Sequence, residues 1–167
     1  MLIRIILILL SLSSFTSQAK VELNYGDTPP NFLGRDKNGN DVTLEDHKGK
    51  LVIISFWASW CPPCLKELPV LESIQQHLGT DKIKVVAINH KEDRRVYRKL
   101  RRTLSALHLT LTHDRLGSIG KKFGVKGIPS LFIVGKSGKL VYRATGYGDS
   151  TIDQLSAVIN QQLSEAE

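Results

Sequence analysis

Both cysteines of the chain lie in one stretch, Phe56 to Pro69 (FWASWCPPCLKELP), two residues apart and where the apolar pattern changes its period. Before it, Leu51 to Phe56 (LVIISF) is short, apolar and rich in β-branched side chains, as a strand buried on both faces requires. After it, Leu65, Leu68, Leu71, Ile74 and Leu78 recur at helical spacing. The cysteines therefore fall where a central strand gives way to a helix running from about Cys61 to Leu78. Unpaired N–H groups and the positive end of the helix dipole favour a negative charge at such a place, and a thiolate is one.

The thiolate is the nucleophile of disulfide exchange, and a helix N-terminus lowers the pKa of a Cys-x-x-Cys cysteine below its free value of about 8.5. Cys61 is expected to be the attacking, more exposed sulfur. Cys64, one turn further in, is expected to be the buried sulfur that resolves a mixed disulfide. Pro62 and Pro63 lack N–H groups that a first helical turn leaves unpaired anyway, and they restrain the loop between the sulfurs. The same spacing is also half a zinc site. A second CxxC or a pair of His ligands is absent, and His47, His77, His90, His108 and His113 are scattered, as surface or strand-end residues are. A purely stabilising bridge is a poor account, because so small a loop restrains the unfolded chain little. The motif reads as a thiol–disulfide redox centre needing no metal and no cofactor; a carrier that holds Cu(I) on the two thiolates is the rival reading.

Residues Met1 to Ala19 read as a signal peptide: one positive charge at Arg4, an apolar run Ile5 to Leu12, and small residues at Ser17 and Ala19. Cleavage near Ala19 leaves 148 of the 167 residues, enough for one domain over 20–167. An uncleaved membrane anchor is the alternative, but the apolar run is interrupted by Arg4 and falls short of the roughly 20 residues a span needs. The expected compartment is the periplasm, where disulfides persist and a lone CxxC is not confused by other thiols.

The formal charge is +7, and much of it sits in Arg94 to Arg102, RRVYRKLRR. That run invites a nucleic-acid reading. Val96, Leu100, Leu104 and Leu107 nevertheless keep a helical apolar stripe, so the cations read as the solvated face of a covering helix, and no nucleic-acid partner is expected. An acidic partner protein or an anionic membrane surface stays open.

The remaining order is α/β. Asn31 to Asp36 and Asp41 to Leu44 flank an Asn-Gly turn and predict an N-terminal β-hairpin. Ile83 to Asn89 (IKVVAIN) predicts a second buried strand, parallel to LVIISF because a helix intervenes. Asp93 caps the basic helix, expected to reach about Leu107; Leu109 to His113 predicts a short strand and Gly117 to Phe123 a helical turn or two. Leu131 to Val134 and Leu140 to Ala144 predict an antiparallel hairpin, and Ser150 or Thr151 a cap for a last helix with Ile152, Leu155, Val158, Ile159 and Leu163 on one face.

The FWASWCPPC segment, Gly127-Ile128-Pro129-Ser130 before a strand, and Gly138 in the following turn together resemble the thioredoxin superfamily. The resemblance implies a mixed central β-sheet flanked by helices on both faces, with the hairpin as an N-terminal extension. It makes Gly127-Ile128-Pro129 the family's cis-proline loop, which lies beside the CxxC and pairs through its backbone with a bound substrate peptide. The hairpin, the leader, WASWCPPCLKELP and AINHKED resemble more narrowly the TlpA-like branch of periplasmic and membrane-tethered thiol:disulfide oxidoreductases, over about Asp27 to Leu163. In that branch a glutamate three residues after the second cysteine tunes the redox centre, a place held here by Glu67; the residue type alone fits an exposed helix carboxylate nearly as well. Ordinary thioredoxins carry a buried aspartate six residues before the first cysteine, where this chain has Ser55, which is no base near neutral pH. Trp57 suits the core and Trp60 a partly exposed wall of the site. A peroxidase of the related peroxiredoxin group wants a lone attacking cysteine in a different framework. The resemblance implies a monomer that exchanges electron pairs with client proteins bearing disulfides or thiols, and a membrane-bound or periplasmic partner that recycles the CxxC. A reductase, as in cytochrome c maturation or for a dedicated client, is favoured over a disulfide oxidase using the same Cys61, Cys64, Glu67, Trp60, Pro62, Pro63, Ile128 and Pro129.

Overall fold

Strand β3 (Leu51–Trp57) is buried at every position, as its unbroken apolar run requires, because it lies at the middle of a sheet covered on both faces. Alternate side chains feed two cores. Leu51, Ile53 and Trp57 pack on one side with both cysteines, while Val52, Ile54 and Phe56 pack on the other. These relations come from a computed structural model that describes residues 22–164; the leader assigned to 1–19 lies outside the described residues.

Hydrogen-bonded neighbours order the main sheet β5 (Thr110–Asp114), β4 (Ile83–His90), β3, β6 (Ser130–Val134), β7 (Leu140–Thr145). The first three strands are parallel and the last two antiparallel to their neighbours, giving the mixed sheet of the thioredoxin fold. Helix α1 (Pro62–Leu78) carries the chain from β3 to β4, burying Cys64, Glu67, Leu68 and Leu71 against the sheet. Helix α4 (Asp149–Ser164) covers the same face with Leu155 and Ile159. The opposite face is covered by α3 (Ser118–Lys122), through Ile119, and by the hairpin β1 (Phe32–Arg35) and β2 (Asp41–Thr43), through Leu33 and Val42. The hairpin is a separate two-stranded sheet, tied to β5 where Thr112 Oγ1 donates to the Leu33 carbonyl at 2.7 Å. Gly34 makes that approach possible: its φ is +112°, and a Cβ there would stand 2.8 Å from the Thr112 side chain.

Two boundaries differ from the sequence reading. Helix α2 spans Arg94–Thr103, with the Asp93 carboxylate accepting from Arg95 N–H at 2.7 Å as its cap, so Leu104 and Leu107 reach the core from turns beyond its end. Its inward residue is Tyr97, 5% exposed and stacked on His113 with ring centroids 4.4 Å apart, whereas Val96 is 43% exposed. Of the expected stripe, Leu100, Leu104 and Leu107 do pack inward, and only Val96 gives way, to Tyr97; an aromatic ring had a flat partner to lie on and valine did not. Helix α4 begins at Asp149, one residue before the expected Ser150 or Thr151 cap. No helix among the described residues is long and apolar enough to cross a membrane.

Candidate active site

Cys61 is the N-cap of α1, in extended backbone conformation, and its sulfur accepts from Cys64 N–H at 3.3 Å. Pro62 and Pro63 fill the first two helical positions, where neither offers an N–H, so the Cys64 amide is the first-turn donor left to serve that sulfur. The two cysteines form a disulfide, S–S 2.03 Å with Cα atoms 5.3 Å apart. Cys61 is the more exposed partner, as expected, but only just: 4% against 0% for Cys64. The attacking sulfur is folded back over its own helix and into the apolar cluster that holds Trp57 and Ile128.

Around it the surface is open. Trp60 is 65% exposed and Pro62 and Pro63 are exposed, while Trp57 is wholly buried. The Ile128–Pro129 peptide is cis. Strand β6 pairs with β3 so that Ser130 faces Phe56, and the register carried one residue further sets Pro129 level with Trp57, at the sheet edge from which the CxxC loop departs. Ser130 Oγ donates to the Gly127 carbonyl at 2.6 Å and Pro129 accepts from Gly146 N–H at 2.8 Å, pinning the loop on both sides.

Glu67 points inward. It is 2% exposed, three residues and hence one turn beyond Cys64 on the buried face of α1, and it accepts a 2.6 Å hydrogen bond from Ser55 Oγ on β3. Burial pushes its carboxyl up to about 7, against the opposing pull of the Ser55 hydroxyl. Of the two readings open for this glutamate, the surface carboxylate is therefore the wrong one. Ser55, dismissed above as a poor base, is a donor that orients the acid.

The sequence reading gave Glu92 no role. Its side chain, 7% exposed, accepts from Ser59 N–H at 3.0 Å, from Ser59 Oγ and from Asn89 Nδ2, so one carboxylate fastens the loop before Cys61 to the end of β4. Its signal was faint: 33 residues separate the partners, and only the parallel pairing of Trp57 with Asn89 brings them together. The histidines stay apart from the sulfurs. His90 ends β4, buried, with Nδ1 3.2 Å from Asp114 Oδ2, and among the described residues no group of three or more His, Cys, Asp or Glu gathers as metal ligands would.

Comparison with known proteins agrees with this geometry. A family model described as Redoxin matches residues 24–159. Thiol-disulfide oxidoreductase ResA of Bacillus thuringiensis subsp. konkukian is 29% identical over 147 residues, spanning 88% of this chain and 82% of the relative. Sporulation thiol-disulfide oxidoreductase A of Bacillus subtilis is 31% identical over 157 residues, 92% of this chain and 93% of the relative. Among solved structures, a Chlorobium tepidum protein assigned as thiol:disulfide interchange protein DsbE is 30% identical, with a TM-score of 0.78 over 84% of this chain and 99% of that one.

Proposed function

Starting from a chain that belongs to the Redoxin family and is a thiol-disulfide oxidoreductase, we propose that it acts as a protein-disulfide reductase in an exported compartment. In the reduced chain the Cys61 thiolate attacks a client disulfide; the client S–S bond breaks, one client sulfur leaves as thiolate, and a Cys61–client disulfide forms. Glu67 then takes the proton from Cys64, whose thiolate attacks the Cys61 sulfur and expels the second client thiolate. The client has gained two electrons and this chain has lost two, ending in the Cys61–Cys64 disulfide, which a membrane-bound or periplasmic dithiol partner reduces again. Trp60, Pro62 and Pro63 form the rim against which the client lies, and Ile128 and Pro129 offer it a backbone edge.

The observation that carries this reading is a disulfide at the tip of α1 with a buried carboxyl, poised near neutrality, one turn further along the same helix. The direction is supported by the prolines. A centre becomes a strong oxidant when its reduced form is stabilised, and with two first-turn N–H groups removed the Cys61 thiolate has less to stabilise it. The leader-like residues 1–19 support export.

Expressing a Cys64→Ser variant with its own leader should trap clients as mixed disulfides on Cys61, and N-terminal mapping of the same material should find cleavage near Ala19. The wild type should reduce insulin and equilibrate at a potential nearer thioredoxin's than that of DsbA. A potential in the oxidase range would reverse the assigned direction, and stoichiometric Cu(I) binding without insulin reduction would replace the function with that of a carrier.

A further inference from the structure

Three loops meet at the C-terminal edge of the parallel strands: the one that ends in Cys61, the one from β4 into α2, and the one from β5 into α3. Pairing of Trp57 with Asn89 and of His90 with Asp114 sets the three at one level, and Lys91 N–H donates to the Asp114 carbonyl at 3.0 Å. Because Glu92 holds Ser59, helix α2 starts at the wall of the redox site. Arg95 is three residues from Glu92, so their Cα atoms are at most about 11 Å apart.

The cations on the first two turns of α2 do nothing for α2 itself, unlike Arg101 and Arg102, which suit the dipole in its last turn. Six of its ten residues are Arg or Lys and none is acidic. Arg94 and Arg95 stand at the positive end of the helix dipole. Arg94 and Arg98, Arg95 and Lys99, and Arg98 and Arg102 are like charges at the i,i+4 spacing, which is unfavourable. No ion pair among the described residues uses an α2 side chain. The converging segments also carry exposed apolar groups: Trp60 at 65% on the loop to Cys61, Leu116 at 83% on the loop from β5 to α3, and Val96 at 43% on α2. Arginine around an aromatic anchor is the composition of a protein-binding surface.

We propose that the outer face of α2, through Arg94, Arg95 and Arg98, together with Trp60 and Leu116, is the docking surface for a client protein that carries an acidic segment beside its reactive disulfide. The proposal rests on the reductase reading and adds the chemistry of the client. Charge complementarity selects the occupant: a solvated cationic face steers acidic partners and suppresses basic ones, an effect that salt removes.

The test uses two disulfide-bonded peptides of identical sequence except that the Asp and Glu flanking the disulfide in one are Asn and Gln in the other, with neutral hydroxyethyl disulfide as a third substrate. The full chain should favour the acidic peptide by about tenfold in kcat/KM at low salt, and the preference should vanish in 0.5 M salt, as exposed charges are screened. The R94Q/R95Q/R98Q variant, which keeps good helix formers, should lose the preference while its rate on hydroxyethyl disulfide stays at wild-type level; R94A/R95A/R98A should behave alike. Equal kcat/KM for both peptides in the wild type overturns the proposal, and so does a preference that survives in both variants. Binding of the wild type to phosphatidylglycerol vesicles or to a DNA duplex with no peptide preference gives the face to lipid or nucleic acid and overturns it too. A wild type that reduces none of the three substrates overturns the reductase reading and the docking surface with it.

Discussion

Glu67 and Ser55 form a buried pair, the glutamate one helical turn beyond Cys64. Burial raises the carboxyl to about 7, and the Ser55 hydroxyl, by hydrogen bonding, keeps it from rising further. Removing that hydroxyl in Ser55→Ala should shift the pH midpoint of client release upward, followed by stopped-flow decay of a mixed disulfide on Cys61. Glu67→Gln cannot take a proton. Its resolution step should lose the inflection near neutrality and slow about 10- to 100-fold at pH 7, at the low end of general-base contributions. A variant whose pH profile matches the wild type would take Glu67 out of the proton path. The pair was half legible beforehand: a glutamate at that place was suspected, but which way it faced depended on a strand 12 residues earlier in the chain.

At the scale of elements, the start of α1 and the start of α2 are built to opposite ends. Helix α1 caps itself with a sulfur and withholds two first-turn N–H groups from it. Pro63→Ala restores one donor. The Cys61 pKa should fall by about one unit and the reduction potential rise by about 30 mV, measured by thiol alkylation against pH and by equilibration with a dithiol buffer. An unchanged potential would show that the prolines do not set the direction. Helix α2 is joined to the site by Glu92. In Glu92→Ala the Ser59 amide loses its acceptor, so hydrogen exchange at Ser59 should accelerate while protection in β3 and β4 is kept; stability should drop by about 1–3 kcal/mol for the buried donors left unpaired. The elements themselves were readable from apolar period and cap residues, as Asp93 and the Asn-Gly turn illustrate. Tyr97 was not, since nothing local distinguishes it from Val96 as the residue that faces the sheet.

For the molecule as a whole, buried acids set two pH windows of stability. Burial pushes Asp114 up, but hydrogen bonds from His90 and from the Gly120 and Ile119 amides outweigh it and hold the carboxyl low, so its contribution is lost as pH falls below about 3.8. Glu67 has the opposite sign. Its folded pKa lies above the unfolded value of 4.5, so the folded chain keeps a proton that the unfolded chain has released, and stability declines as pH rises from about 4.5 to about 7. The loss is about 1.4 kcal/mol per pH unit, on the order of 3 kcal/mol across the window. His47, whose pKa burial lowers from 6.5, gains stability as pH rises over part of that range, so the wild-type curve mixes the two. The difference between wild type and Glu67→Gln in urea midpoints from pH 4 to 8 isolates the glutamate: it should widen in favour of Gln above pH 5, and a flat difference would place the carboxyl in water.

Strand, helix and redox motif were determined by the order of residues alone, because each rests on local causes: a run of β-branched side chains, a change of period, two cysteines one helical turn apart. Which carboxylates are buried and what they hold was decided only by the tertiary structure. Glu67 owes its raised pKa to burial against the sheet, which the hydrogen bond from Ser55 only moderates, and Glu92 owes its hold on the Cys61 loop to parallel pairing across the sheet. A pKa and a hydrogen bond depend on what lies within a few ångströms in space, and no spacing along the chain fixes that.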